Sequence, residues 1–192
     1  MIIPTTGGIL EMVYTLVGIV GSRNTGKTTT TTNLTNFFVN QGLKTAIIKF
    51  MQHKFNIDPS HKDSASLRRT KATTIISTSP YETVLFQKTE QRSDLQTLLQ
   101  HIPPGIDIVF CESYPSKFPS IPLIFTCKNI ADFYETKKRY NYQNPLFITG
   151  IITNENFNTL EGIPVLSNIE SVQLQQAFEL ILKIQVDKEI SL

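Results

Sequence analysis

The chain has 192 residues, and 18 basic against 16 acidic side chains leave a formal charge of only +2, too little to imply a nucleic-acid or membrane surface by mass electrostatics. A 40% hydrophobic share with 18% charged residues describes a globular protein able to fold unaided. No apolar run reaches the roughly 18 residues of a membrane span and no signal-peptide pattern opens the chain, so a cytoplasmic protein is expected.

Residues 1–12 hold Pro4 and the Gly7-Gly8 pair and read as an amino-terminal extension, leaving 13–192 as one domain. Tyr14 to Val20, YTLVGIV, is a nearly continuous apolar run of strand length, as a strand buried on both faces requires. Thr28 to Asn40 places Leu34, Phe37 and Phe38 at helical spacing before Gly42, and Thr45 to Phe50 is a second strand, completing a βαβ unit. Ser64 to Ala72 reads as a helix. Thr73 to Ser77 and Thr83 to Gln87 are short strands about a Ser79-Pro80 turn. Asp94 to Ile102 is a helix stopped by Pro103-Pro104-Gly105, and Asp107 to Cys111 is a buried strand with Glu112 at its carboxyl end. Three prolines make Tyr114 to Pro122 a loop. Leu123 to Cys127 and Leu146 to Ile152 read as strands around a charged helix near Ile130 to Tyr140, and Ser171 to Ile184 is a closing helix. Strands alternating with helices predict a three-layer α/β fold with a mostly parallel sheet, and the loop GSRNTGKT between the first strand and the first helix makes it a P-loop NTPase-type fold and 13–192 a single nucleotide-binding domain. The only cysteines, Cys111 and Cys127, lie in apolar runs without C-x-x-C spacing and read as small buried hydrophobes.

Gly21 to Thr28, GSRNTGKT, matches G-x-x-x-x-G-K-[ST] at each fixed position, and it leaves a buried strand and opens a helix. There, successive backbone N–H groups of Gly21, Ser22, Arg23, Asn24, Thr25, Gly26, Lys27, Thr28 and Thr29 can be aimed at phosphates. The two glycines permit the backbone this needs, Lys27 offers a charge to the β and γ phosphates, and the Thr28 hydroxyl offers a ligand to Mg2+. There is no G-x-G-x-x-G fingerprint, so a dinucleotide-binding reading has no support.

Glu112 emerges from a buried strand where P-loop proteins keep an acid that orients magnesium. A buried carboxylate needs a partner, and the metal near Thr28 supplies one. The polar stretch from Lys49 to Ser64 follows the second strand, and loops at that end of parallel strands line the ligand crevice. Lys49, His53, Asp58, Lys62 and Asp63 are therefore candidates for contact with a second ligand, with a solvated loop as the plain alternative. Arg68 and Arg69 read as a solvated helix face, with phosphate contacts as the alternative.

Three segments in order resemble the molybdopterin-guanine dinucleotide biosynthesis protein B group, often called MobB. They are the loop at Gly21 to Thr29, the stretch from Ile47 to Ser64 and the strand from Asp107 to Ser113. The middle segment keeps Lys49, His53, Phe55, Asp58, Lys62, Asp63 and Ser64 of the family pattern, while Phe50 and Gln52 replace usual histidines and Ser113 a usual glycine. Asn154 stands where relatives often carry an aspartate that accepts hydrogen bonds from guanine, and an asparagine adds donors there, so ATP stays open beside GTP. The resemblance implies a homodimer that binds GTP with Mg2+ and hydrolyses it weakly. It also implies a role assisting a molybdopterin guanylyltransferase of the MobA type in attaching GMP to the molybdopterin cofactor. The alternative from another class is a P-loop kinase or ligase that phosphorylates a small metabolite.

Overall fold

The structure, a computed structural model, describes residues 14–51, 63–89, 93–118, 120–155, 157–167 and 170–190. The described residues of 1–50 and 100–192 form one compact unit and those of 51–99 a second.

The larger unit is built on five parallel strands in the order β2, β5, β1, β6, β7. They are β1 (Thr15–Gly21), β2 (Thr45–Lys49), β5 (Ile108–Glu112), β6 (Leu123–Thr126) and β7 (Ile148–Thr149). The apolar run of β1 occupies the centre, and Val17, Ile19 and Val20 are fully buried, as its composition requires. Consecutive side chains of a strand point to opposite faces. Ile124 accordingly joins Val17, Phe38, Phe110 and Ile181 in one core cluster, whereas Phe125 packs on Phe133 with ring centroids 6.2 Å apart. Helices α1 (Lys27–Asn40) and α5 (Ser171–Ile190) thus cover one face and α4 (Ile130–Tyr140) the other, giving the three layers expected. Phe38 meets Phe110 edge to face at 5.5 Å and Phe178 at 4.8 Å, and burying each such ring stabilises by about 2–3 kcal/mol.

Several elements depart from the sequence expectations at their ends. The expected strand from Leu146 to Ile152 is cut to Ile148–Thr149, because Gly150 turns the chain with φ 97° and ψ −151° into a 3-10 helix, Ile151–Asn154. A hairpin of β8 (Thr159–Leu160) and β9 (Ile163–Pro164) follows, closed by Glu161 and Gly162, both at positive φ, a turn the sequence reading passed over. The closing helix continues to Ile190, six residues beyond its expected end.

The smaller unit pairs β3 (Thr74–Thr78) antiparallel with β4 (Thr83–Gln87), as expected about the Ser79-Pro80 turn. Its helices are shorter than the sequence suggests, α2 (Asp63–Arg68) and α3 (Leu95–Leu99). In α2 the backbone N–H of Thr70 and its hydroxyl both return to the carbonyl of Leu67, an i−3 closure that ends the helix. Arg68 is not simply solvated, since its guanidinium lies 4.7 Å from the Phe86 ring centre.

Candidate functional site

The carboxyl ends of β1, β5, β2 and β6 come together at one edge of the sheet, and the register fixes which residues meet there. Lys49 pairs with Glu112, Glu112 with Ile19, and Gly21 with Thr126. The loop from Gly21 to Gly26 leaves the sheet at this edge, and α1 starts at Lys27. This is the crevice where open parallel sheets hold ligands.

The loop is held in shape by its own chemistry. A Cβ on Gly21 would meet the Thr126 carbonyl oxygen at 2.1 Å, so only glycine fits so close to β6. Gly26 and Asn24 have φ of 93° and 59°, and asparagine is among the few residues that adopt the left-handed region readily. Buried Thr25 ties the loop from inside, sharing a 2.7 Å hydrogen bond with the Thr126 hydroxyl and donating to the Ser22 carbonyl at 3.0 Å. Arg23 and Asn24 face solvent at its tip, and the hydroxyl-bearing Thr28 and Thr29 are exposed.

Helix α1 begins without a side-chain cap and without an acidic residue in its first turn. Its amide dipoles therefore offer partial positive charge to an anion uncontested by a nearby carboxylate of the same turn. The threonines that open α1 are accommodated because Thr30 and Thr31 are buried and the Thr31 hydroxyl donates to the Lys27 carbonyl at 2.9 Å. Lys27 folds back over the loop, donating to the carbonyls of Gly21, at 3.0 Å, and Ser22. Burial pulls its ammonium below the usual lysine range, partly opposed by the charges of Glu112 and Asp132.

Glu112 is where the sequence reading put it, at the end of β5 with its side chain 5% exposed. The Thr28 hydroxyl donates to its Oε1 at 2.8 Å, and the Lys49 ammonium lies 2.8 Å from the same oxygen and donates to Thr28 Oγ1 at 3.2 Å. Thr28 and Glu112 thus present two hard oxygens 2.8 Å apart, the ligand type that magnesium takes, and a cationic group already sits against both. These residues fit a magnesium ion, which Thr28 would bind directly and Glu112 directly or through water.

Of the candidates for a second ligand, Lys49 is the one that the described residues of this unit place at this edge. His53, Asp58 and Lys62 lie outside the described residues, and Asp63 opens α2 in the second unit. Asn154 ends the 3-10 helix that begins just past Gly150.

Two contributors escaped the sequence reading. Asp132, in the first turn of α4, accepts from the Ser22 hydroxyl at 2.6 Å and from the Lys128 amide at 2.9 Å, tying the phosphate loop to the start of that helix. Its own amide donates to the Asn129 side chain at 3.0 Å, so the N-x-x-D spacing of a helix cap was its visible signal. Gly150 packs its Cα face on the loop, and a Cβ there would stand 2.4 Å from the Thr25 carbonyl oxygen. Both cysteines are buried as expected, and burial pushes each thiol up to about 12.

The same fold is found in solved structures of known proteins. The crystal structure of Bacillus subtilis MobB superposes with a TM-score of 0.65 at 19% identity, covering 87% of this chain and 98% of that one. A molybdopterin-guanine biosynthesis protein B structure gives 0.62 at 18% identity over 88% and 99% of the two chains. A MobB homologue from Bacillus stearothermophilus gives 0.58 at 16% identity over 90% and 96%. No curated protein sequence matches significantly. The family model described as molybdopterin guanine dinucleotide synthesis protein B matches residues 16–139, which span the phosphate loop, Lys49, Glu112 and Asp132. That match supports a role in molybdopterin guanine dinucleotide synthesis. The chain belongs to the MobB family.

Proposed function

We propose that the chain binds a purine nucleoside triphosphate, GTP before ATP, together with Mg2+. In that state it serves a MobA-type guanylyltransferase as it attaches GMP to molybdopterin. The observation that carries this reading is the 2.8 Å Thr28–Glu112 contact beside the uncapped amino terminus of α1. Bound metal compensates charge on the phosphates and raises affinity at this edge, while the loop amides and Lys27 orient the β and γ groups.

Intrinsic hydrolysis is slow on this reading. Glu112, with its side chain only 5% exposed and committed on this reading to Thr28 and the metal, is poorly placed to act as a base toward water. The protein acts as a homodimer, a reading supported by the paired Ile76 and Leu85 on the β3–β4 hairpin, which leave apolar surface exposed.

The test reconstitutes the step with purified guanylyltransferase, molybdopterin and Mg-GTP. Adding this protein raises the yield of guanylated cofactor, and Lys27→Ala does not. Transfer of the γ-phosphoryl group to a metabolite at rates of about 1–100 s−1, ordinary for kinases, would contradict the accessory role.

A further inference from the structure

Lys49 occupies an informative position. It is the last residue of β2, in register with Glu112, and its ammonium touches both oxygens offered to the metal, at 2.8 and 3.2 Å. The partners differ in freedom, because the Lys49 side chain is 45% exposed and that of Glu112 only 5%. The carboxylate is therefore the fixed member of the pair. The lysine, on a flexible four-carbon stem, is the member that can leave for water.

Glu112 needs a positive partner whether or not nucleotide is present, since an unpaired buried carboxylate is costly. Two cations on one carboxylate oxygen would repel each other. One cation at a time is the arrangement these distances allow.

We propose that Lys49 is a displaceable stand-in for the metal. In the nucleotide-free protein it excludes free divalent cations from Thr28 and Glu112, and it yields the position only when metal arrives with a triphosphate. The freed ammonium then stands at the same edge of the sheet, available to the anionic ligand. This inference rests on the proposed metal–triphosphate site. It adds that metal and nucleotide enter together rather than in either order.

Mn2+ titration followed by electron paramagnetic resonance tests it, with Mn2+ replacing Mg2+ as a hard, six-coordinate ion. Without nucleotide, Lys49→Met lowers the Mn2+ concentration for half-saturation by about tenfold, the scale set by removing one nearby, partly exposed like charge. Lys49→Arg keeps the charge and binds Mn2+ as weakly as the unaltered protein. Adding Glu112→Gln to Lys49→Met abolishes the gain. Equal Mn2+ affinity in the unaltered protein and in Lys49→Met, with both folded by circular dichroism and both binding Mn-GTP, overturns the stand-in role alone. Failure of the unaltered protein to bind Mn-GTP overturns the underlying site as well.

Discussion

The Thr28 hydroxyl donates to Glu112 Oε1 at 2.8 Å, joining the first turn of α1 to the end of β5 across 84 positions of sequence. Substituting Glu112→Gln keeps the size of the side chain and removes its charge. Nucleotide affinity in Mg2+ falls by about tenfold or more, while affinity in chelator changes by less than about threefold. Equilibrium titration with a fluorescent GTP analogue in the two buffers checks this, and equal losses in both contradict a metal role.

Lys27 supplies the charge inside the loop, so Lys27→Ala weakens triphosphate binding by about a hundredfold, the scale of one lost charge-assisted contact. Burial holds its folded pKa below the value of the unfolded chain. Between those two values the unfolded state carries more protons, so this group makes native stability rise, not fall, with increasing pH. Lys27→Ala therefore moves the unliganded melting temperature by no more than about 3 °C. The same depressed pKa makes triphosphate affinity decline on the alkaline side before exposed lysines titrate. Calorimetric titrations from pH 7 upward measure it.

Gly150 cannot be replaced without moving the loop. Gly150→Ala imposes φ 97° on a residue with a side chain and drives its Cβ to 2.4 Å from the Thr25 carbonyl oxygen. Destabilisation of about 2 kcal/mol or more is expected, with a loss of nucleotide affinity. Denaturant unfolding and a binding titration read the two effects, and a variant as stable as the parent would refute the close approach.

Asp132 acts on the loop from outside it. Asp132→Ala removes the acceptor for the Ser22 hydroxyl and the Lys128 amide, a cost of about 1–3 kcal/mol in stability for a nearly buried charged acceptor. Ser22→Ala reproduces the nucleotide-binding defect if the effect runs through that hydroxyl. A binding defect in Asp132→Ala with none in Ser22→Ala assigns the effect to the Lys128 contact instead.

The thiols report on burial. Native Cys111 and Cys127, with thiols pushed up to about 12, stay unreactive toward a disulfide reagent at pH 8 and both react after unfolding in guanidinium. Their raised pKa values also mean that the unfolded chain loses these protons first, so their contribution to stability is complete below pH 9 and lost as pH rises toward 12.

What the chain discloses in advance follows from whether a feature is local. The phosphate loop, Glu112 and the strands around them are local patterns, an apolar run, a glycine spacing and an acid at a strand end, and the structure places them together. The ends of elements depend on contacts made elsewhere. Position 150 must be glycine because the carbonyl of Thr25 lies against it, and nothing near Gly150 in the sequence says so. Asp132 is half legible, since its capping spacing shows while its bond to Ser22, 110 positions away, does not. The role of Lys49 needed the register of β2 on β5, which places it opposite Glu112.

The central claim is that this edge of the sheet binds a purine triphosphate with its metal. Isothermal titration of the unaltered protein with GTP, in Mg2+ and then in chelator, measures it most directly. The account predicts saturable binding of one GTP per chain that is tighter by about tenfold or more with Mg2+. No binding heat in either buffer, or binding indifferent to Mg2+, would contradict it.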